Sequence, residues 1–267
     1  MHTGTIGPFD MPPEMVLGAM DEYQIDFGLV SNIEGAEVDQ DQVPLPSELQ
    51  FSQQEVNERV LRFVRAHPDR LGALLWIKPA TEGCTAEFES MVAGNLNVVH
   101  GLKVHPFLSG TSLASPAVAK YIDLARRHDL PVVCHTAGSP ESSPRTVHEV
   151  AVRYPEVNFV MVHLGLGTDN QEAIELVASL SNLYGDTTWV APEKTLQAIR
   201  VCGEDKIMFG SDSPIAGPDT YGALDFYMYY FHEMKADLSR QAYDKLMFRN
   251  AIRLFKLDRS ELEAKRH

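Results

Sequence analysis

Cysteine, long apolar runs and basic side chains are all in short supply in this sequence, and each shortage closes off a class of protein. Three cysteines in 267 residues, Cys84, Cys134 and Cys202, make an odd, sparse set. That is the pattern of a reducing cytoplasm and not of a disulfide framework. The longest strongly apolar stretch, residues 71–77, is far short of the ~20 residues a membrane helix needs. The first ten residues carry neither a basic flank nor an apolar core, so no secretory signal is expected. Twenty-three Lys and Arg against 37 Asp and Glu leave a net charge of −14. Such a field repels nucleic acid and anionic membrane, which argues against either as a partner. With 44% apolar and 22% charged residues, disordered and fibrous architectures are excluded. The expectation is a soluble, cytoplasmic protein whose residues 1–267 form one domain, a size that (β/α) barrels reach as a single unit.

What is present is a repeated alternation. Short apolar runs fall at residues 27–30, 71–77, 102–105, 132–135, 158–163, 183–186 and 207–210. Runs that are apolar on both sides of the pleat mark parallel strands covered by helices. From the second onward they start roughly 25–30 residues apart, about one βαβ unit. Between them lie helical patterns with clear starts. Ser52-Gln53-Gln54-Glu55 reads as a capping box, with Phe51 and Val56 as its hydrophobic staple. Ser115-Pro116 and Ser143-Pro144 each set a capping serine before a first-turn proline. Further helices are expected at 169–183, 194–202, 220–234 and 240–257.

Seven strand–helix units imply an eighth strand or an open doubly wound sheet. Functional-looking residues at the strand ends, and no Gly-rich first turn, favour an α/β (β/α)8 TIM barrel. Its first strand is largely missing: the chain opens on His2-Thr3-Gly4-Thr5-Ile6, a strand end running into a loop. Residues 32–50 are long, acidic and without helical period, and read either as a lid over the active face or as a solvated loop.

Polar residues end the apolar strands. His135 closes Val132-Val133-Cys134-His135, His163 closes the run at 158–163, and Asp212 follows Ile207-Met208-Phe209-Gly210-Ser211. Imidazole and carboxylate are costly to desolvate there unless paired or metal-bound. Three on one face suit Zn²⁺ or a similar divalent ion, with Mn or Fe accepted by the same ligand types. Lys103 and His105, at another strand end, are candidates for binding a substrate carboxylate. Asp186 either orients a ligand or caps the next turn, Cys134 reads as a small buried hydrophobe, and His128 and His148 fall on outer helices.

Four segments carry a family resemblance: Gly101-Leu102-Lys103-Val104-His105-Pro106, Val133-Cys134-His135, Val162-His163-Leu164-Gly165 and Phe209-Gly210-Ser211-Asp212-Ser213-Pro214. With the closing Asn250-Ala251-Ile252-Arg253-Leu254-Phe255, they make the chain similar to the amidohydrolase superfamily. The similarity is to the branch containing aminocarboxymuconate-semialdehyde decarboxylase and related metal-dependent hydrolases. It implies His2, His135 and Asp212 as metal ligands and His163 and Asp212 as catalytic residues. Asp212 would carry a proton, and His163 would donate to the substrate carbonyl or oxyanion. In that family the first strand ends in His-x-His, whose first histidine would fall one residue before Met1. Either the natural protein begins upstream, or the metal site is weakened. Open edges on the second and eighth strands, which barrels avoid, favour the upstream start. The implied activity is hydrolysis of an amide, ester or lactone of a small, carboxylated molecule. Non-oxidative decarboxylation and a non-catalytic barrel are the alternatives, and homo-oligomerisation stays open.

Overall fold

Greasy strands that point one row of side chains inward and the next outward close into a barrel. A computed structural model describes residues 1–7, 9–215 and 226–257; positions 220–225 of the helix expected at 220–234 lie outside them. The strands are β1 (His2–Ile6), β2 (Phe9–Met11), β3 (Gly28–Asn32), β4 (Leu71–Trp76), β5 (Val99–Val104), β6 (Val132–Ala137), β7 (Phe159–Leu166), β8 (Leu183–Asp186) and β9 (Ile207–Met208). Apart from β2, which folds back antiparallel on β1, each pairs in parallel with its neighbours in chain order. The amide of His2 donates to the Ser213 carbonyl at 2.9 Å, joining the first parallel strand to the segment after the last. This is the eight-stranded barrel the sequence pattern implies.

As the sequence implies, the first barrel strand is short: β1 pairs in parallel with β3 through His2–Ser31 and Thr3–Asn32 alone, and its Gly4–Ile6 stretch pairs antiparallel with β2. On the far side, the edge of β9 is taken up by the last helical segment. Phe209 donates to the Leu246 carbonyl at 2.8 Å, within the π-helical turn Lys245–Arg249. The fully buried Asn250 amide donates to the Ile207 and Glu204 carbonyls at 2.9 and 2.7 Å. Unpaired strand edges are a liability, and these bonds cover this one.

Eight α-helices cover the sheet between β2 and β9: α1 (Pro13–Glu22), α2 (Gln53–Ala66), α3 (Ala86–Ala93), α4 (Pro106–Ser109), α5 (Pro116–Arg127), α6 (Pro144–Arg153), α7 (Gln171–Ser179) and α8 (Pro192–Cys202). The capping box forms as read, Ser52 Oγ accepting from Glu55 N and Glu55 Oε2 accepting from Ser52 N. Outward side chains such as Leu75, Leu102, Cys134 and Met161 pack against Val60, Tyr121 and Val150 in the main core. Each such side chain contributes about 1.5–3 kcal/mol by leaving water. Burial pushes the Cys134 thiol up to about 12, so it is an inert hydrophobe in that layer. Leu74, Val133, Val160, Val162 and Met208 point inward and fill the barrel with Leu254 and Phe255.

Residues 33–50 are tied down. The buried Glu37 carboxylate accepts from Thr81 N and Oγ1 at 2.7 and 2.6 Å, and Glu37 N and Val38 N both donate to Leu108 O. Gln42 Nε2 adds a bond to Phe107 O at 3.0 Å. These bonds anchor residues 37, 38 and 42 to the rim.

Candidate active site

The alternation that packs the barrel also aims the site. In β5 and β6 the outward residues Val104 and Cys134 are paired, so Lys103 and Val133 face inward on one level. His105 and His135 stand on the next. Their rings stack at 3.9 Å and 13°, and Trp76 from the end of β4 stacks on His105 at 5.6 Å and 22°. His105 also caps α4: its Nδ1 accepts from Leu108 N at 3.2 Å. A ring nitrogen that accepts an amide carries no proton, so the His105 proton lies on Nε2.

His163 breaks the alternation. Val160 and Val162 point inward, so the next residue should point into the helix layer. It does not, because His163 and Leu164 take left-handed backbone conformations, φ +69° and +47°. The register with β6 slips there, from His135–Val162 to Ala137–Leu166. This is a bulge of the kind that re-aims side chains at active sites. Leu164 turns outward into the core, where only a glycine at 185 makes room: a Cβ there would meet Leu164 Cδ2 at 2.4 Å. His163 turns inward, edge-on to His135 at 4.8 Å. Its Nδ1 lies 3.1 Å from the Thr188 carbonyl. A carbonyl only accepts, so the proton is on Nδ1 and Nε2 presents a lone pair. In the neutral ring Nε2 is therefore an acceptor, and donation to an oxyanion would need the protonated ring.

His2 comes from β1 and Asp212 from just after β9. His2 Nε2 lies 3.0 Å from Asp212 Oδ1, and Nδ1 lies 3.0 Å from Ser31 Oγ. Burial pushes the His2 imidazole down to about 4, against the pull of Asp212. Burial works to raise Asp212, but the hydrogen bond of His2, the charge His2 takes on in acid and the nearby His163 hold it below the ordinary carboxylate range. Burial also lowers His163, and lowers His105 and His135 strongly. The imidazoles are neutral at pH 7, facing an ionised carboxylate.

Lys103 is 4% exposed, and among the described residues its ammonium has no hydrogen-bond or ion-pair partner. Burial lowers its pKa although Asp212 and Asp186 raise it. It lines a cavity of about 870 Å³ together with His2, Asp186, Thr188 and Asp212; the cavity runs on past Leu74, Val133 and Met208 to Phe27 and Phe255 and is not lined by His105, His135 or His163. Thus His2, Lys103, His105, His135, His163 and Asp212 all meet at one end of the barrel. Ser31, Trp76, Thr136 and Asn170 support them without having been singled out. Trp76 alone left a signal, as the last residue of a strand. His128 and His148 lie in the outer layer, half-buried.

The donor set suits a divalent ion in part. Two donors 3.0 Å apart match an edge of a coordination polyhedron with bonds of about 2.1 Å. Neutral imidazole and carboxylate are the right chemistry. Among the described residues, however, no three His, Cys, Asp or Glu side chains stand in the spacing of a formed metal centre.

No match was found among curated proteins. Solved structures share the fold, three of them as follows. A 5-carboxyvanillate decarboxylase from Sphingomonas paucimobilis is 16% identical over 90% of this chain and 82% of that one, with a TM-score of 0.66. A probable 2-pyrone-4,6-dicarboxylic acid hydrolase from Acinetobacter baumannii, with citric acid bound, is 15% identical over 95% and 92%, TM-score 0.65. A dihydroxybenzoic acid decarboxylase from Polaromonas sp. JS666, with manganese and 2-nitroresorcinol, is 16% identical over 97% and 96%, TM-score 0.67. The family model described as amidohydrolase matches residues 12–257, and the chain belongs to that family.

Proposed function

We propose that the protein is a metal-dependent enzyme acting on a small carboxylated molecule, by hydrolysis of an amide, ester or lactone. The observation that carries this reading is the opposed polarity of the buried groups at one rim: acceptors at Asp212 and His163 Nε2, donors at Lys103 Nζ and His105 Nε2. His2, His135 and Asp212 would hold a divalent ion. Bound there, it supplies Lewis-acid polarisation and a water whose pKa falls toward ~7. Asp212 is ionised and takes the proton of the attacking water, then returns it to the leaving group. His163 Nε2 is a second acceptor. His105 Nε2–H donates to the substrate oxygen on which charge develops, a contact of the kind worth ~10²–10³ in rate. Lys103 pairs with the substrate carboxylate, and the Trp76–His105–His135 stack gives a flat wall for a planar body.

Decarboxylation is the second reading. It is supported by the decarboxylases among the structural neighbours and by a buried ammonium suited to a carboxylate. The resting site favours hydrolysis, because its two central groups accept protons while a carbanion left by CO₂ loss needs one. The test is product analysis: the metal-loaded protein is offered lactones, amides and aryl or unsaturated carboxylates. Release of CO₂ without hydrolysis would replace the first reading by the second. Turnover of none by metal-loaded protein would refute both.

A further inference from the structure

One oxygen of Asp186, at the end of β8, bonds two strands' worth of machinery. Oδ1 accepts the amide of His163 at 3.0 Å and the amide of Thr188 at 3.1 Å. The second bond closes a turn, and the carbonyl of that same Thr188 accepts His163 Nδ1 at 3.1 Å. The three bonds form a closed circuit running from the carboxylate to the His163 backbone, through its ring to Thr188, and back.

His163 needs such a hold. A left-handed conformation is unfavourable for any residue with a Cβ and persists only where surrounding structure enforces it. Leu164 shares the strain, with φ +47°. The residues on the far side of the bend have their own anchors. Asn170 Nδ2 donates to the His163 and Leu164 carbonyls, and Gly165 N donates to Thr136 Oγ1. On the near side the His163 amide is bonded by Asp186. The fold also keeps a side chain away from this clasp: a Cβ on Gly210 would come within 2.4 Å of Thr188 Oγ1 and 2.9 Å of Asp186 Oδ2. A plain turn cap requires only the Thr188 bond; the bond to His163 and the cleared position at Gly210 go beyond it.

We propose that Asp186 is a positioning residue: through the Thr188 turn it sets which nitrogen of His163 carries the proton and where the other points. The structural half of this proposal stands on the hydrogen bonds alone. Its catalytic half rests on the reading of His163 Nε2 as a proton acceptor.

Nuclear magnetic resonance of ¹⁵N-histidine protein without metal reads the His163 tautomer directly, with His163→Gln to assign the signal. Wild type should show the proton on Nδ1. Asp186→Asn keeps an oxygen able to accept both amides and should match it, whereas Asp186→Ala should show a mixture of tautomers. Gly210→Ala pushes on the clasp without removing an acceptor, and should perturb the same signal; it carries the test if Asp186→Ala does not fold. An unchanged tautomer in Asp186→Ala, or in Gly210→Ala where that variant carries the test, overturns the proposal. So does Asp186→Asn behaving like Asp186→Ala, since charge and not geometry would then be at work. With a substrate of the metal-loaded enzyme, Asp186→Ala should lose about 10–100-fold in kcat with KM within about twofold. Equal loss through KM would instead make Asp186 a substrate contact, against the proposal. A shifted tautomer with unaltered kcat would uphold the clasp and refute the catalytic reading of His163.

Discussion

Replacing Lys103 by methionine should make the protein more stable and a worse enzyme. Methionine keeps most of the apolar stem and removes the charge. The sign of the stability change follows from the lowered ammonium pKa: burial outweighs the attraction of Asp212 and Asp186, so the charged form is less welcome here than in water. Removing an unpaired buried cation should therefore gain about 1–3 kcal/mol. At about 2–4 °C per kcal/mol for a chain of this size, Tm rises by several degrees. The ammonium's bond to a substrate carboxylate is worth about 1.5–3 kcal/mol. Its loss should raise KM ~10–100-fold, with a smaller effect on kcat. The assay pairs thermal unfolding with kinetics on a carboxylate substrate and its methyl ester; wild type should prefer the acid and the variant should lose that preference. A fall in Tm with an unchanged KM would refute the reasoning and make Lys103 a structural counter-ion to the two aspartates.

Asp212→Asn should abolish turnover, by at least about 10³-fold, while circular dichroism stays that of wild type; retained activity would end its assignment as proton carrier. Asn250→Ala removes the amide that seals the β9 edge and leaves two carbonyls unpaired. Urea unfolding should show a loss of about 2–4 kcal/mol, and a change below about 0.5 kcal/mol would show that the edge is covered some other way. Stability of the metal-free protein should fall on acidification. His2, His105, His135 and His163 all have folded pKa values below 6.5, so the unfolded chain takes up protons that the folded one refuses. For His2 the window runs from 6.5 down to about 4, and the part of it above pH 5, about 1.5 units, amounts to about 2 kcal/mol. Chemical unfolding at pH 7.5 and pH 5 measures it, and a flat profile would contradict neutral, buried imidazoles.

Much of the barrel can be read in its strands because each is apolar on both sides, and helix starts at Ser52, Ser115 and Ser143 carry their caps in the sequence. What escaped notice has local physical causes. β5 starts at Val99, three residues earlier than its apolar run, because His100 and Gly101 interrupt the pattern. His163 was legible as a strand-end polar residue, but its direction was not. Period-two alternation sends it outward, and only the left-handed pair at 163 and 164, which no residue type advertises, turns it in. The tautomers of His105 and His163 depend on Leu108 N and the Thr188 carbonyl, main-chain groups invisible to any motif. Asp186 reads in the sequence as a turn cap or an orienter, and that its Oδ1 accepts two main-chain amides depends on the fold. Glu37 looked like one acid among several in an acidic loop, and its burial against Thr81 depends on a long-range contact.

Titration of metal-free protein with Zn²⁺ and Mn²⁺, followed by anomalous diffraction from the loaded crystal, reaches the heart of the matter. One ion per chain held jointly by His2, His135 and Asp212 is expected, with binding lost in His135→Ala. Absence of stoichiometric binding, or an ion seated away from those three side chains, would contradict the assignment.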